Sequence, residues 1–249
     1  MVNNTDIPTA AILVIGDEIL SGRTKDKNVG FIADRLTELG IDLKEVRIIS
    51  DEQPAIVSGL NALRAAYTYV FTTGGIGPTH DDITADSVAA AFGVTIDIDQ
   101  RAVDVMLERY EKADLTESRL RMARIPAGAE LIANPVSKAP GFQIGNVFVM
   151  AGVPNIMQAM MDDVSTRLKG GQKMLSLAIE AGMGEGMVAK PLAELQLEYP
   201  DVSLGSYPYM RDGKFQTSLV LRCRDEERLN LVAEKLADIV TELQKSNAD

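Results

Sequence analysis

The sequence predicts an α/β domain on a mostly parallel sheet, followed by a small α+β module. Three observations carry this expectation. Apolar runs alternate with amphipathic helical segments from residue 10 to residue 93. The third run ends in a glycine-rich turn that opens a helix, Thr72-Thr-Gly-Gly-Ile-Gly-Pro-Thr-His-Asp-Asp-Ile-Thr84. Beyond Lys169-Gly-Gly-Gln172 the element order changes to β-α-β-β-α.

Taken in order, Ala10 to Ile15 is a short continuous apolar run and reads as a central strand. Gly16-Asp-Glu-Ile-Leu-Ser-Gly22 follows as a loop. Val29, Ile32, Ala33, Leu36 and Leu39 recur at helical spacing until Gly40 ends the helix. Ile41 to Ile49 is a second strand, and Pro54 opens a helix carrying Ile56, Leu60 and Leu63. Tyr67 to Phe71 is a third strand, and Ala85 to Phe92 is a helix stopped by Gly93. This β-α-β-α-β-α order implies parallel strands with right-handed crossovers.

Further along, Asp99 to Lys112 reads as one amphipathic helix with Val103, Met106, Leu107 and Tyr110 on a common face. Thr116 to Met122 reads as a shorter one. Phe142 to Met150 alternates around Gly145-Asn146, a two-residue hairpin turn. Asn155 to Leu168 is a methionine-rich helix, a composition that suits an adaptable core face. The Gly-Gly at 170–171 divides the chain into expected domains 1–170 and 171–249. In the second, strands at Lys173 to Glu180, Val202 to Tyr207 and Gln216 to Arg224 join helices at Met187 to Leu197 and Glu226 to Leu243. Pro191 interrupts the first helix pattern. The order fits a KH-like or ferredoxin-like module. It lacks a Gly-x-x-Gly loop or a stacking aromatic pair for RNA, so packing or homo-oligomerisation is its expected role.

Composition narrows the function. The 25 basic and 36 acidic residues leave a net charge of -11, which argues against nonspecific nucleic-acid binding by phosphate neutralisation. A single cysteine, Cys223, excludes an internal disulfide and a multi-cysteine zinc site, and a single histidine, His80, excludes a histidine-rich metal site. No apolar run approaches membrane-spanning length. Met1 to Pro8 is polar without a basic region, so no secretory leader is expected and the simplest location is the cytoplasm.

The glycine turn reads as an anion site. Backbone N–H groups of Gly74 to Gly77 can approach a phosphate, and the helix start adds positive potential. The turn lacks the third glycine of the dinucleotide fingerprint and the Gly-Lys-Ser/Thr of a Walker loop. Parallel sheets bind ligands outside the carboxyl ends of their strands. There, Asp17 and Glu18, Asp51 and Glu52, and Asp81 and Asp82 follow the first three predicted strands. Carboxylates beside a phosphate call for a cation between them, most simply a divalent metal such as Mg²⁺, Mn²⁺ or Co²⁺. The competing reading is that each acid caps a helix, with Asp82 or Thr84 capping the one after the turn. As a ligand-site carboxylate, Asp82 is expected to contribute little to stability. His80 is open between a general base and a surface hydrogen-bonding group.

Gly16-Asp-Glu-Ile-Leu-Ser-Gly22, Asp26-Lys-Asn28 and Gly74-Gly-Ile-Gly-Pro-Thr-His-Asp-Asp-Ile-Thr84 together resemble the molybdopterin-binding domain family. The likeness is to the N-terminal region of CinA proteins and the matching domain of eukaryotic FAD synthases. Ala139-Pro-Gly-Phe142, Gly152-Val-Pro154 and Leu204-Gly-Ser-Tyr-Pro208 extend it. The resemblance implies a three-layer MoaB/MogA-like domain followed by a KH-like module. It implies a small nucleotide or pterin ligand and site acids at Asp51 and Asp82. Asp81 stands where molybdenum-cofactor members carry a base, and the Thr-His-Asp-Asp form is that of CinA and FAD synthase. The implied activity is metal-dependent cleavage of a dinucleotide pyrophosphate such as ADP-ribose or FAD. Asp51, Asp82 and Asp81 would be catalytic, with Asp82, Asp51 and Asp17 on the metal. Gly16, Asp17, Glu18, Asn28, Gly74, Gly75, Gly77, Thr84, Pro140, Gly141 and Gly152 would line the nucleotide. CinA commonly has Pro before Gly152 and an acid after Pro154, where this chain has Ala151 and Asn155-Ile156. Nothing after residue 249 supplies the amidase domain of longer CinA proteins, so deamidation is not expected. Molybdopterin binding or adenylylation, and nucleotide binding without catalysis, are the alternatives.

Overall fold

A computed structural model of the chain describes residues 7–246. Residues 1–6, most of the N-terminal stretch read as leaderless, lie outside them. The chain forms two compact units, Met1–Gly171 and Gln172–Asp249.

The first unit runs β1 (Thr9–Ile15), α1 (Asp17–Leu20), α2 (Asn28–Glu38), β2 (Asp42–Ile49), α3 (Gln53–Ala66), β3 (Tyr69–Thr73) and α4 (Thr84–Phe92). It continues through β4 (Ile96–Ile98), α5 (Gln100–Leu107), α6 (Glu117–Leu120), β5 (Arg124–Pro126), β6 (Glu130–Ile132), β7 (Gly141–Ile144), β8 (Val147–Met150) and α7 (Pro154–Arg167). The main sheet has the order β2-β1-β3-β8-β7-β6. Strands β2, β1, β3 and β8 are parallel, and the β7–β8 hairpin turns the remaining edge antiparallel.

The period-2 alternation of strand side chains makes this a three-layer domain. Ala11, Leu13 and Ile15 of β1 face one layer with Ile56, Leu60 and Leu63 of α3 and Val88 of α4. Ala10, Ile12 and Val14 face the other, with Ile32 and Leu36 of α2. Met157, Met160 and Met161 of α7 complete that second layer, each fully buried. Both faces being covered explains why β1 and β8 are continuous apolar runs rather than alternating ones.

Several local expectations are corrected. The stretch Gly16–Gly22 contains a one-turn helix, α1. The helix expected from Asp99 to Lys112 stops at Leu107, which is exposed, and a separate 3-10 turn spans Lys112–Asp114. The N–H groups of Arg109 and Tyr110 both turn back to the Met106 carbonyl, tightening the end of α5 just as its buried face, Ala102 and Met106, runs out. The ribbon β4–β5 and strand β6 escape sequence reading because three residues are too few to display a period.

The second unit comprises β9 (Leu175–Glu180), α8 (Glu185–Glu198), β10 (Ser203–Arg211), β11 (Lys214–Cys223) and α9 (Glu226–Ser246). Its antiparallel sheet has the order β10-β11-β9. Leu195 of α8, Leu219 and Leu221 of β11, and Val232 and Leu236 of α9 form its core, with Cys223 buried beside them. Asp212 and Gly213, both at positive φ, turn the β10–β11 hairpin. Pro191 sits inside α8 without ending it. Among the described residues no helix is long and apolar enough to cross a membrane.

Candidate functional site

Three loops meet at the carboxyl ends of β1, β3 and β8, and glycine makes the meeting possible. Gly74 has φ +104°, and a Cβ there would lie 2.1 Å from the Ile15 carbonyl oxygen. Its N–H donates to the Met150 carbonyl at 3.3 Å. A Cβ on Gly152 would approach the Gly74 Cα at 3.2 Å. The backbone ends of the three strands are therefore in direct contact, with no room for side chains between them. Gly16 belongs to the same edge: its N–H donates to the Ile49 carbonyl at 3.1 Å, tying the end of β1 to that of β2.

The turn itself is clamped from within. The Thr84 hydroxyl donates to the Gly74 carbonyl at 2.9 Å, and the Thr84 N–H donates to the Gly75 carbonyl at 2.9 Å. Thr84 is fully buried, so it holds the turn instead of facing a ligand, and its side chain does not cap α4. Asn28 plays a similar part. Its Nδ2 donates to the Gly152 carbonyl at 2.8 Å, while its Oδ1 is buried without a partner. Gly74 is corrected as a phosphate donor, since its N–H already has the Met150 carbonyl. The N–H groups of Gly75, Ile76 and Gly77 have no protein acceptor among the described residues and remain open to an anion.

The acidic residues separate into two groups. Asp51 Oδ2 accepts the Asp17 N–H at 2.9 Å, so the carboxylate after β2 caps α1 across the loops, and no side chain caps α3. Burial pushes the Asp51 carboxyl above its ordinary pKa against the opposing pull of that hydrogen bond, and the charges of Asp17, Glu18 and Asp81 push it the same way. Asp17, Glu18, Asp51 and Asp81 thus form one electrostatic neighbourhood. Asp82 is different. Its Oδ2 accepts both the N–H and the hydroxyl of Thr79, at 2.8 and 2.5 Å, and a Cβ on Gly77 would lie 2.6 Å from it. Asp82 therefore shapes the turn, which corrects the expectation that it contributes little to the fold. His80 and Asp81 are exposed at the tip.

Among the described residues no three His, Cys, Asp or Glu side chains converge well enough to hold a metal ion by themselves. The donors present are hard carboxylate oxygens. They fit a cation of the Mg²⁺ type, which takes one or two carboxylates and completes its shell from substrate phosphates and water.

A cleft of about 610 Å³ opens over the turn, within the range of small-molecule sites. Gly74 to Pro78, Gly152 and Pro154 line its base, and Glu18 and Asp82 bring carboxylates to it. Pro140 lines a smaller crevice beside Gly77 and Asp82. Gly141 does not face a ligand: it lies in β7, where a Cβ would meet the Val149 carbonyl at 2.3 Å. Sequence reasoning missed Tyr110, Arg119, Met122 and Asn134 in the cleft wall. They come from short or irregular segments that carry no motif.

Fold and cleft define the class: a three-layer α/β domain with a ligand-sized cleft at the carboxyl edge of its parallel strands, joined to a small α+β module. The chain belongs to the family described as "Probable molybdopterin binding domain", which matches residues 11–170. Residues 173–247 match "FAD synthase, middle domain". A "Probable FAD synthase" of Caenorhabditis elegans is 31% identical over 258 residues, covering 93% of this chain and 50% of that protein. A "CinA-like protein" of Citrifermentans bemidjiense is 36% identical over 194 residues, covering 73% of this chain and 46% of that one. The chain thus spans about half the length of these relatives. The crystal structure of CinA from Thermoplasma acidophilum superposes with a TM-score of 0.61 at 33% identity, over 65% of this chain and 98% of that one.

Proposed function

We propose that the chain is a metal-dependent nucleotide pyrophosphatase acting on a dinucleotide of the ADP-ribose or FAD kind. The observation that carries this reading is the cleft floor, where the open N–H groups of Gly75, Ile76 and Gly77 lie beside the carboxylates of Glu18 and Asp82. An oligophosphate needs donors on one side and, against carboxylates, a cation on the other. Either Asp82, through its free Oδ1, or Asp51 with Asp17 would give that cation its one or two carboxylates, the phosphates and water completing its shell. When bound, a divalent cation neutralises phosphate charge and polarises phosphorus. The glycine N–H groups would orient the diphosphate, and Met122 and Ile156 give the same cleft apolar lining. Hydrolysis places the oxygen and protons of one water across the cleaved P–O–P bond, giving AMP and a second phosphomonoester. The names of the C. elegans relative and of the second family point to FAD as a nucleotide of suitable shape.

A second reading, favoured by the name of the first family, is pterin binding or adenylylation in molybdenum-cofactor synthesis. Purified chain incubated with ADP-ribose or FAD and Mg²⁺, Mn²⁺ or Co²⁺ is expected to release AMP, and EDTA is expected to abolish both turnover and tight nucleotide binding. Full nucleotide affinity in EDTA would overturn the metal part. Absence of AMP from either substrate, with molybdopterin retained from a cell extract, would favour the second reading. Nucleotide binding without release would leave a binding module.

A further inference from the structure

The connection from α5 to β5 brings Tyr110 and Arg119 to the wall of the cleft. The Arg119 guanidinium carbon stands 4.7 Å from the centroid of the Tyr110 ring. One arm of the guanidinium donates to the Asp114 carbonyl at 2.7 Å, and the backbone N–H of Arg119 donates to the Thr116 hydroxyl that caps α6. The side chain is thus held by a ring and a carbonyl, and its backbone by a helix cap, although the side chain is 40% exposed. Among the residues lining the cleft Arg119 is the cation, and it stands in a wall of Met122, Val153 and Ile156.

This arrangement suits a planar heterocycle better than a second phosphate. The guanidinium is planar and weakly hydrated and stacks on aromatic faces and nucleobases. The guanidinium carbon already lies over the Tyr110 ring, and one arm is already taken by Asp114, so the fork that would grip a phosphate with two donors is partly used. Met122 adds a polarisable contact of the kind aromatic rings favour. The open N–H groups of Gly75 to Gly77 in the same cleft would accommodate phosphate charge.

Resting on the nucleotide reading above, we propose that the Tyr110–Arg119 stack binds the heterocyclic base of the nucleotide, extending the stack by one ring system while the diphosphate lies on the glycine turn. Arg119 is then a specificity-determining residue for a base-bearing ligand.

The test compares two probes on the full chain in Mg²⁺ buffer, AMP and ribose 5-phosphate, which share the sugar and phosphate and differ by the base. Wild type is expected to bind AMP at least about tenfold more tightly, the contribution of one stacked base. Arg119→Ala and Arg119→Lys are both expected to remove that preference and leave ribose 5-phosphate affinity unchanged, because Lys keeps the charge and loses the plane. A 2-aminopurine nucleotide should be quenched by wild type and not by either variant. Tyr110→Leu serves as an independent variant with the same expected loss. If Arg119→Lys keeps the AMP preference, or Arg119→Ala weakens both probes equally, the contact is electrostatic and the stack is refuted. If all three variants bind AMP as wild type does, the base lies elsewhere and the nucleotide reading stands alone. If wild type binds neither probe, both readings fall.

Discussion

Gly75 and Gly93 form a matched pair that separates backbone conformation from packing. Their φ angles are +68° and +66°, so alanine at either position meets the same left-handed penalty, roughly 1–2 kcal/mol. A Cβ on Gly93 meets nothing within 4 Å, and Gly93→Ala should therefore lose about that amount and no more. A Cβ on Gly75 would lie 2.1 Å from Thr84 Oγ1 and 3.1 Å from Thr84 Cβ. Thr84 is fully buried and cannot swing aside without giving up its bond to the Gly74 carbonyl. Leaving those buried groups unpaired adds about 1–3 kcal/mol. Gly75→Ala should thus be less stable than Gly93→Ala by about 1–3 kcal/mol, or roughly 2–12 °C in melting temperature for a unit of this size. Hydrogen exchange across a urea series, read by mass spectrometry on peptides from β1 and β3, reports the first unit specifically. Adding Thr84→Ala to Gly75→Ala should cost less than the sum of the single changes, because it removes the colliding oxygen. Equal losses at Gly75 and Gly93, or strict additivity in the double variant, would refute the clamp.

Three further outcomes are expected. Asp51 has a raised pKa, and a carboxyl raised on folding favours the folded state when protonated. That contribution is complete below the unfolded value near 3.9 and is lost as pH rises through the folded one, so Asp51→Asn should be the more stable protein at pH 7 without metal. The gap should close in acid, and a urea series at several pH values checks this. Asp82→Ala should lose roughly 1–2 kcal/mol in the absence of metal because Thr79 loses its acceptor, with Asp82→Asn losing less; an unchanged melting curve for Asp82→Ala would contradict the turn geometry. Residues 169–171 are bonded into the first unit, through Lys169 N–H to the Tyr69 hydroxyl at 2.9 Å and Gly171 N–H to the Leu39 carbonyl at 3.0 Å. A fragment ending at 171 should therefore melt higher than one ending at 168, and equal melting would show those contacts to be idle.

The sequence determined the layered α/β core by itself, because hydrophobic patterning is a local property: continuous apolar runs at β1 and β3 alternate with the helical periods of α2, α3 and α4. It also pointed to the carboxyl edge as the site, since each acid pair lies in the loop that follows one of the first three strands, and strand direction follows from alternation with helices. What it could not assign was the partner of each polar atom. Thr84 read as a ligand group or a helix cap and Asn28 as a ligand group, and hydrogen bonds to the Gly74 and Gly152 carbonyls made both of them clamps. The acid cluster was legible as a cluster, whereas Asp51 capping α1 from another loop and Asp82 gripping Thr79 depend on distances the chain order does not contain. Gly141 looked like part of a binding motif until the carbonyl of Val149 was found against it. Tyr110 and Arg119 lay furthest from view: Tyr110 read as one more apolar position on a helix that in fact ends before it, Arg119 sits on a one-turn helix with no motif, and only the fold brings both to the cleft with the glycine turn.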